Sequence, residues 1–140
     1  MIYNLIFCQT TNIIYNAQIT STNNEISPKL YIGLTESIFK QRYNNHTNSF
    51  RHKKYETSTE LSKHIWEHKD RNEAYEVKWS ISNQAAAYTN ETKRCNLCLT
   101  EKLCISKADK THLLNKRSEL ISKCRHENKY YLINFKIDPT

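Results

Sequence analysis

The chain of 140 residues contains a single glycine, Gly33. Average usage of roughly 7% would give about ten glycines. Glycine is the residue that a backbone uses for a positive φ angle or for close approach to another group. Gly33 lies in the segment Lys29–Thr35, after an apolar-alternating stretch and before a helical pattern. We therefore expect either a demanding backbone position at Gly33 or, as the simpler alternative, a glycine that ends an edge strand.

The composition is that of one basic domain. The formal net charge is +7, the pI is about 9.2 and 38% of the residues are hydrophobic. We expect a single domain over residues 1–140, with a core over about 10–120 and a C-terminal extension over 121–140. Such a charge suits nucleic acid or an acidic surface. The sequence has no run of about 18 apolar residues, so no membrane partner is expected.

Hydrophobic periodicity predicts an α/β fold with the order β-β-α-α-β-α-α, in which helices flank a three-stranded antiparallel sheet. Strands are expected at 12–20, 29–34 and 74–81. In the third strand, alternation predicts one buried face formed by Tyr75, Val77, Trp79 and Ile81.

Four helices are predicted from helical spacing and from capping residues. They run from Thr35 or Ser37 to about Asn48, from about Ser58 to Lys69, from Cys95 or Leu97 to about Lys107, and from Asp109 to about Cys124. Thr57 and Glu60 have capping-box spacing before the second helix.

Residues suited to phosphodiester hydrolysis follow one another along these elements. The reaction needs an activated water, a cation at the phosphate and a metal ion. Tyr15 and Tyr31 lie on adjacent strands, and their hydroxyls can bracket one phosphate if both project from one face. Arg42 and His46 share a helix face, where Arg42 would bind phosphate bidentately and His46 would move a proton or fix a water. Glu101 is an oxygen ligand suited to Mg²⁺.

These residues, in this order, resemble the GIY-YIG nuclease superfamily over about residues 10–120. The resemblance rests on Ile13-Ile14-Tyr15, with Ile13 at the family's glycine position, on Tyr31-Ile32-Gly33, and on Arg42, His46, Glu101 and Asn115. It implies hydrolysis with a single Mg²⁺ or Mn²⁺ at Glu101 and with Tyr15 or Tyr31 near the attacking water. It further implies that Arg42 stabilises the transition state and that Asn115 orients a scaffold or a phosphate.

The chain is similar, more narrowly, to the endonuclease domains of Penelope-like retroelements. The matching segments are Arg42–His46, Ser58–Trp66, Cys95–Lys102, Leu113–Leu120 and Ser122–His126. The resemblance implies nicking of DNA, a nuclear location and no small-molecule substrate. A cysteine pair usual before the first strand is represented only by Cys8. The alternative is a catalytically weak nucleic-acid-binding remnant of such an element.

The cysteines allow two interpretations. Five cysteines with no secretion signal predict reduced thiols or metal ligands in an intracellular protein. Cys95 and Cys98 have zinc-knuckle spacing, and Cys124 with His126 could complete four ligands of a structural zinc. Alternatively, Cys98 packs as a small core residue at a helix start and Cys124 at a helix end. A zinc-stabilised interaction domain is therefore a third candidate function.

Two further groups remain open at the level of sequence. The basic run Arg51-His52-Lys53-Lys54 is predicted to contact the DNA backbone, which would make affinity salt-dependent, or else to form a solvated face. His64 and His68 have the i,i+4 spacing of metal ligands on a helix, or lie on its polar side.

Overall fold

Strands and helices in the order β-β-α-α-β-α confirm the predicted α/β fold. The computed structural model describes residues 8–23, 25–86, 91 and 95–116. The elements are β1 (Ile13–Ser21), β2 (Lys29–Thr35), α1 (Phe39–Arg51), α2 (Glu60–Asp70), β3 (Tyr75–Gln84) and α3 (Asn96–Lys107), with a 3-10 turn at Lys53–Tyr55. None of the helices in these residues has the length and apolar character of a membrane-spanning segment.

The sheet has the strand order β2-β1-β3, and both strand pairs are antiparallel. β1 is the central strand, and its apolar residues are buried on both sides because each face is covered by helices. Tyr15 of β1 lies opposite Gly33 of β2, and Ala17 lies opposite Tyr31. This register decides which side chains of the two strands share a face.

Two separate hydrophobic clusters lie on the two faces of the sheet. Alternate residues of β1 from Ile13 to Ile19 contribute to the first cluster, as the two-residue period of a strand requires, and Ile14 contributes to the second. The first face is covered by α1 and α2, and its buried residues are Ile13, Tyr15, Ala17, Ile19, Tyr31, Phe39, Phe50, Leu61 and Ile65. The second face is covered by α3, and its buried residues are Ile14, Ile32, Leu34, Cys95, Leu97, Cys98 and Ile105.

The predicted caps of the first two helices are wrong. Ile38 is the N-cap of α1, because β2 continues through Thr35, whose hydroxyl bonds to Ser37 instead of to a helix N–H. Thr59 caps α2 by accepting a hydrogen bond from the Ser62 N–H at 2.9 Å, so the box beginning at Thr57 does not form.

The buried face predicted for the third strand is confirmed for three of its four residues. Tyr75, Val77 and Trp79 pack against the first cluster. Ile81 is 38% exposed, because β3 is an edge strand that the helices do not cover at this point.

The predicted helix from Asp109 is wrong over residues 109–116. The Asp109 carboxylate accepts hydrogen bonds from the N–H and hydroxyl of Thr111, which favours a turn. The chain then runs parallel to β2, where Leu30 donates its N–H to His112 and accepts from the N–H of Leu114. The open edge of β2 therefore outweighs helix formation here. The rest of this predicted helix and the extension over 121–140 lie outside the described residues.

Candidate active site

Helix α1 brings Arg42 and His46 over the sheet face that carries both tyrosines. The rings of Tyr15 and Tyr31 each lie 5.8 Å from the His46 ring, centroid to centroid, in edge-to-face arrangements. Both tyrosines belong to the first hydrophobic cluster. The expectation that they project from one face of the hairpin is therefore confirmed.

A chain of hydrogen bonds runs through the Tyr15 hydroxyl. Arg42 Nε donates to the phenol oxygen at 3.1 Å, and the same oxygen lies 2.6 Å from His46 Nε2. The guanidinium can only donate to the phenol oxygen, whereas in the contact between Tyr15 and His46 the donor is set by the tautomer of the imidazole.

Burial sets the charges in this network. Burial, together with the positive charge of Arg42, lowers the pKa of His46 to about 3, so its imidazole is neutral at neutral pH. Burial alone would lower the pKa of Arg42, but the phenols of Tyr15 and Tyr31 outweigh that effect and raise the pKa. The network thus holds a permanent cation beside a neutral proton acceptor.

Gly33 is needed because the ring of Tyr15 lies directly on it. A Cβ atom at Gly33 would lie 2.5 Å from Tyr15 Cζ and closer still to the hydroxyl oxygen. Real Cβ atoms do not make such contacts, and the collision is with a ring packed in the core. The φ angle of Gly33 is not positive. Gly33 is therefore needed for the close approach of the Tyr15 ring and not for a positive φ angle.

Solvent reaches only part of the network. Tyr15 is 0% exposed and His46 is 2% exposed, whereas Arg42 is half-buried. A phosphate could therefore contact the guanidinium of Arg42 without reaching the hydroxyl of Tyr15. The geometry makes Tyr15 a residue that positions Arg42.

Asn115 fastens the segment after α3 to the edge of β2. Its side-chain oxygen accepts a hydrogen bond from the Ile32 N–H, and its side-chain nitrogen donates to the Ile32 carbonyl, both at 2.8 Å. The amide imitates a neighbouring strand beside Gly33. Of the two roles that the resemblance implied, these contacts support the orientation of a scaffold.

Glu101 lies on α3, the helix that covers the second face of the sheet. It is four residues from both Leu97 and Ile105, which bury their side chains in the second cluster, and it is itself half-buried. The structure thus gathers Tyr15, Tyr31, Arg42 and His46 around one point, whereas Glu101 is contributed by the helix of the second face.

The donor set for a metal ion is small. Among the described residues, no three or more His, Cys, Asp or Glu side chains form a group that could hold a metal ion. Mg²⁺ usually binds one or two carboxylates and completes its shell with water and substrate phosphate. A single carboxylate at Glu101 fits that mode of binding and does not form a cage made by the protein alone.

The first half of the predicted zinc site is buried. Cys95 is the N-cap of α3, and both Cys95 and Cys98 pack in the second hydrophobic cluster. Cys124 and His126 lie outside the described residues. The burial of Cys98 agrees with its interpretation as a small core residue, and the zinc site stays a prediction.

The basic run follows α1 and is exposed. Arg51, His52, Lys53 and Lys54 all lie on the surface. Lys53 bonds to both carboxylate oxygens of Asp70, at 3.1 and 3.2 Å, so part of its charge is already compensated. Lys54 lies 5.0 Å from the ring of Tyr55. Contact of this run with DNA stays a prediction.

Trp79 also lines the candidate site, a position that the sequence did not predict. Its ring lies 5.5 Å from that of His46 and 6.0 Å from that of Tyr15. The alternation of β3 signals that Trp79 is buried, but its neighbours depend on the sheet register. Trp79 contributes to the burial that keeps His46 neutral.

Comparison of the chain with models of protein families, with curated proteins and with solved structures found no significant match. The chemistry of the site is therefore inferred from its residues and geometry.

Proposed function

We propose that this protein is a metal-dependent DNA endonuclease of the GIY-YIG type that nicks one strand by hydrolysing a phosphodiester bond. The observation that carries the proposal is the Arg42 guanidinium, which is held by the phenol of Tyr15 at 3.1 Å and is electrostatically coupled to that of Tyr31. A fixed, half-exposed guanidinium above two phenols suits the charge that develops on a phosphate in hydrolysis.

The residues divide the work according to their burial. Tyr15 holds Arg42 and is itself held by His46, and Gly33 makes room for the Tyr15 ring. Arg42 would bind the phosphate with the guanidinium nitrogens that face outward. Because His46 is neutral, it shares a hydrogen bond with the Tyr15 hydroxyl without placing a second positive charge beside Arg42. Mg²⁺ or Mn²⁺, bound through Glu101, would supply the remaining charge neutralisation.

A supercoiled-plasmid nicking assay with Mg²⁺ or Mn²⁺ tests the proposal. Arg42→Lys keeps the charge but removes the Nε donor and the planar fork. We expect its nicking rate to fall by about 10²- to 10³-fold, as for the loss of one preorganised donor. Lys40→Ala is the matched control, because it removes an exposed charge from the same helix two residues away. Equal cutting by all three proteins would indicate a contaminant or another site.

The second candidate function is a nucleic-acid-binding remnant with little catalysis. It is favoured by one observation, that Glu101 lies on α3, whose buried residues pack on the sheet face opposite the tyrosines. Glu101→Gln separates the two candidates, since an endonuclease should lose metal-dependent nicking while binding of DNA in EDTA persists in a gel shift. Binding by the wild type with no cutting under either metal would support the remnant. A retroelement of the Penelope type is the origin we propose for both.

A further inference from the structure

Two histidines of α2 face each other on the first face of the sheet, apart from the candidate active site. His64 Nε2 and His68 Nε2 are 3.1 Å apart. Their side chains are 13% and 1% exposed, so the pair is sheltered but reached by solvent from the His64 side. The ring of Tyr75 packs 5.8 Å from that of His68. The proposed nuclease does not use this pair.

Each ring has a carboxylate at its other nitrogen. His68 Nδ1 lies 3.1 Å from Glu73 Oε1, and His64 Nδ1 lies 3.6 Å from Glu67 Oε1. A carboxylate only accepts hydrogen bonds, so the contact with Glu73 favours the proton of His68 on Nδ1 and leaves its Nε2 with a lone pair. The contact between His64 and Glu67 has the length of an ion pair and not of a hydrogen bond.

With the His68 lone pair facing His64 Nε2 at 3.1 Å, either a ring proton of His64 or a metal ion lies between the two nitrogens. A straight N–H···N bond would hold the rings further apart than the observed 4.6 Å between centroids, and the ring planes are at 87°. Two nitrogen ligands at about 2.0–2.1 Å from a tetrahedral Zn²⁺ are roughly 3.3 Å apart. The observed separation of 3.1 Å is close to that of a ligand pair.

We propose that His64 and His68 bind a divalent transition-metal ion of the Zn²⁺ and Ni²⁺ class through their Nε2 atoms, with Glu73 and Glu67 orienting the two rings. Imidazole nitrogens suit these metals, and a carboxylate on the far nitrogen is the usual outer partner of a metal-bound histidine. Water completes the coordination shell, since the described residues offer no group of three ligands.

The surrounding charges set limits on this site. Arg71 Nε donates to Glu73 Oε1 at 3.0 Å, and Lys29 lies near enough to His64 to interact electrostatically. The Lys29 ammonium donates to the Thr111 carbonyl at 3.2 Å, so its position is fixed. Two carboxylates and two cations thus surround the pair, and their charges offset one another. The preference for a transition-metal ion therefore comes from the positions of the two imidazole nitrogens.

Zn²⁺ titration of the full chain, followed by long-range ¹H–¹⁵N spectra of the histidine rings, tests the proposal. We expect Nδ1–H tautomers in both rings and Zn²⁺-dependent shifts at Nε2 of His64 and His68 but not of His52. A proton on either Nε2, forming a direct N–H···N bond, would overturn the proposal. Unchanged Nε2 signals at excess Zn²⁺ would do so as well.

Variants separate this site from the cysteines, which could also bind Zn²⁺. His64→Gln should remove the shift at His68, whereas the control His52→Gln should keep it. Glu73→Gln should weaken Zn²⁺ binding by about 10- to 100-fold. Binding that is equal in His64→Gln and wild type would assign the metal elsewhere. The wild-type spectra decide the question even if a variant does not fold, and the nicking assay with Mg²⁺ is independent of this site.

Discussion

Neighbouring residues of β1 show how differently the two faces of the sheet are built. Tyr15 packs beside Arg42 and His46, and its hydroxyl bonds to both of these polar side chains. Ile14 points to the opposite side, where its buried neighbours are aliphatic residues and cysteines. A polar core depends on every partner being present, whereas an aliphatic core depends mainly on volume. The first face therefore holds the polar network, and we expect it to be the less tolerant of substitution.

Gly33→Ala should be the most damaging substitution. The added Cβ would collide with Tyr15 Cζ at 2.5 Å, so the ring or β2 must move. We expect a loss of about 3 kcal/mol in the free energy of unfolding, at the upper end for overpacking. Urea denaturation measures it. If Gly33→Ala were as stable as wild type, the close approach would not be a constraint.

Tyr15→Phe keeps the ring and removes the shared hydroxyl. Arg42 Nε and the buried His46 Nε2 both lose a partner. We expect a cost of about 2 to 3 kcal/mol, as for leaving buried polar groups unsatisfied. The matched measurement is denaturation of Tyr15→Phe beside Tyr43→Phe on α1. A cost no larger than that of Tyr43→Phe would mean that the network contributes little to stability.

Acid should destabilise the first face through His46. Burial lowers the pKa of its imidazole from 6.5 to about 3, so the unfolded chain takes up this proton more readily. The contribution is complete above pH 6.5 and is lost as pH falls toward 3. At pH 5 the free energy of unfolding is lower by about 2 kcal/mol than at neutral pH for this reason. Unfolding at pH 7 and 5 should show a smaller loss in His46→Gln, and an imidazole that protonates near pH 6 in the folded protein would contradict the prediction.

Ile14→Val should have the smallest effect. It removes one methylene from a residue that is 0% exposed on the aliphatic face. We expect a loss of about 1 kcal/mol and no change in the hydrogen bonds of Tyr15. Thermal unfolding together with the ring spectra of His46 tests both parts. A shift in the His46 signals would show that the two faces are coupled through β1.

Strand alternation allows Tyr15 and Tyr31 to share a face, but the register of β1 and β2 is needed to show that they do. Helical spacing by itself predicts that Arg42 and His46 lie together. The neutral state of His46 could not be predicted, because it depends on rings from other elements, Trp79 among them. Local patterns describe one element at a time, and burial is the result of several.

Two features of the structure that the sequence could not predict have the same physical origin. The spacing of Glu101 from Leu97 and Ile105 places it on the sheet-facing side of α3, but only the topology shows that α3 covers the face away from the tyrosines. The helix predicted from Asp109 was overridden by unpaired backbone groups at the edge of β2. In both cases a distant strand determined the result.

The paired hydrogen bonds between Asn115 and the Ile32 backbone have a consequence for the order in which the molecule folds. Asn115 bonds to the backbone of a residue 83 positions earlier in the chain. Closing so long a loop is entropically costly, and such contacts form late. A ribosome releases the three strands well before it releases Asn115. A nascent chain therefore exposes the edge of β2 until Asn115 is available to bond to it. That interval is when the protein is most open to pairing with another copy of itself.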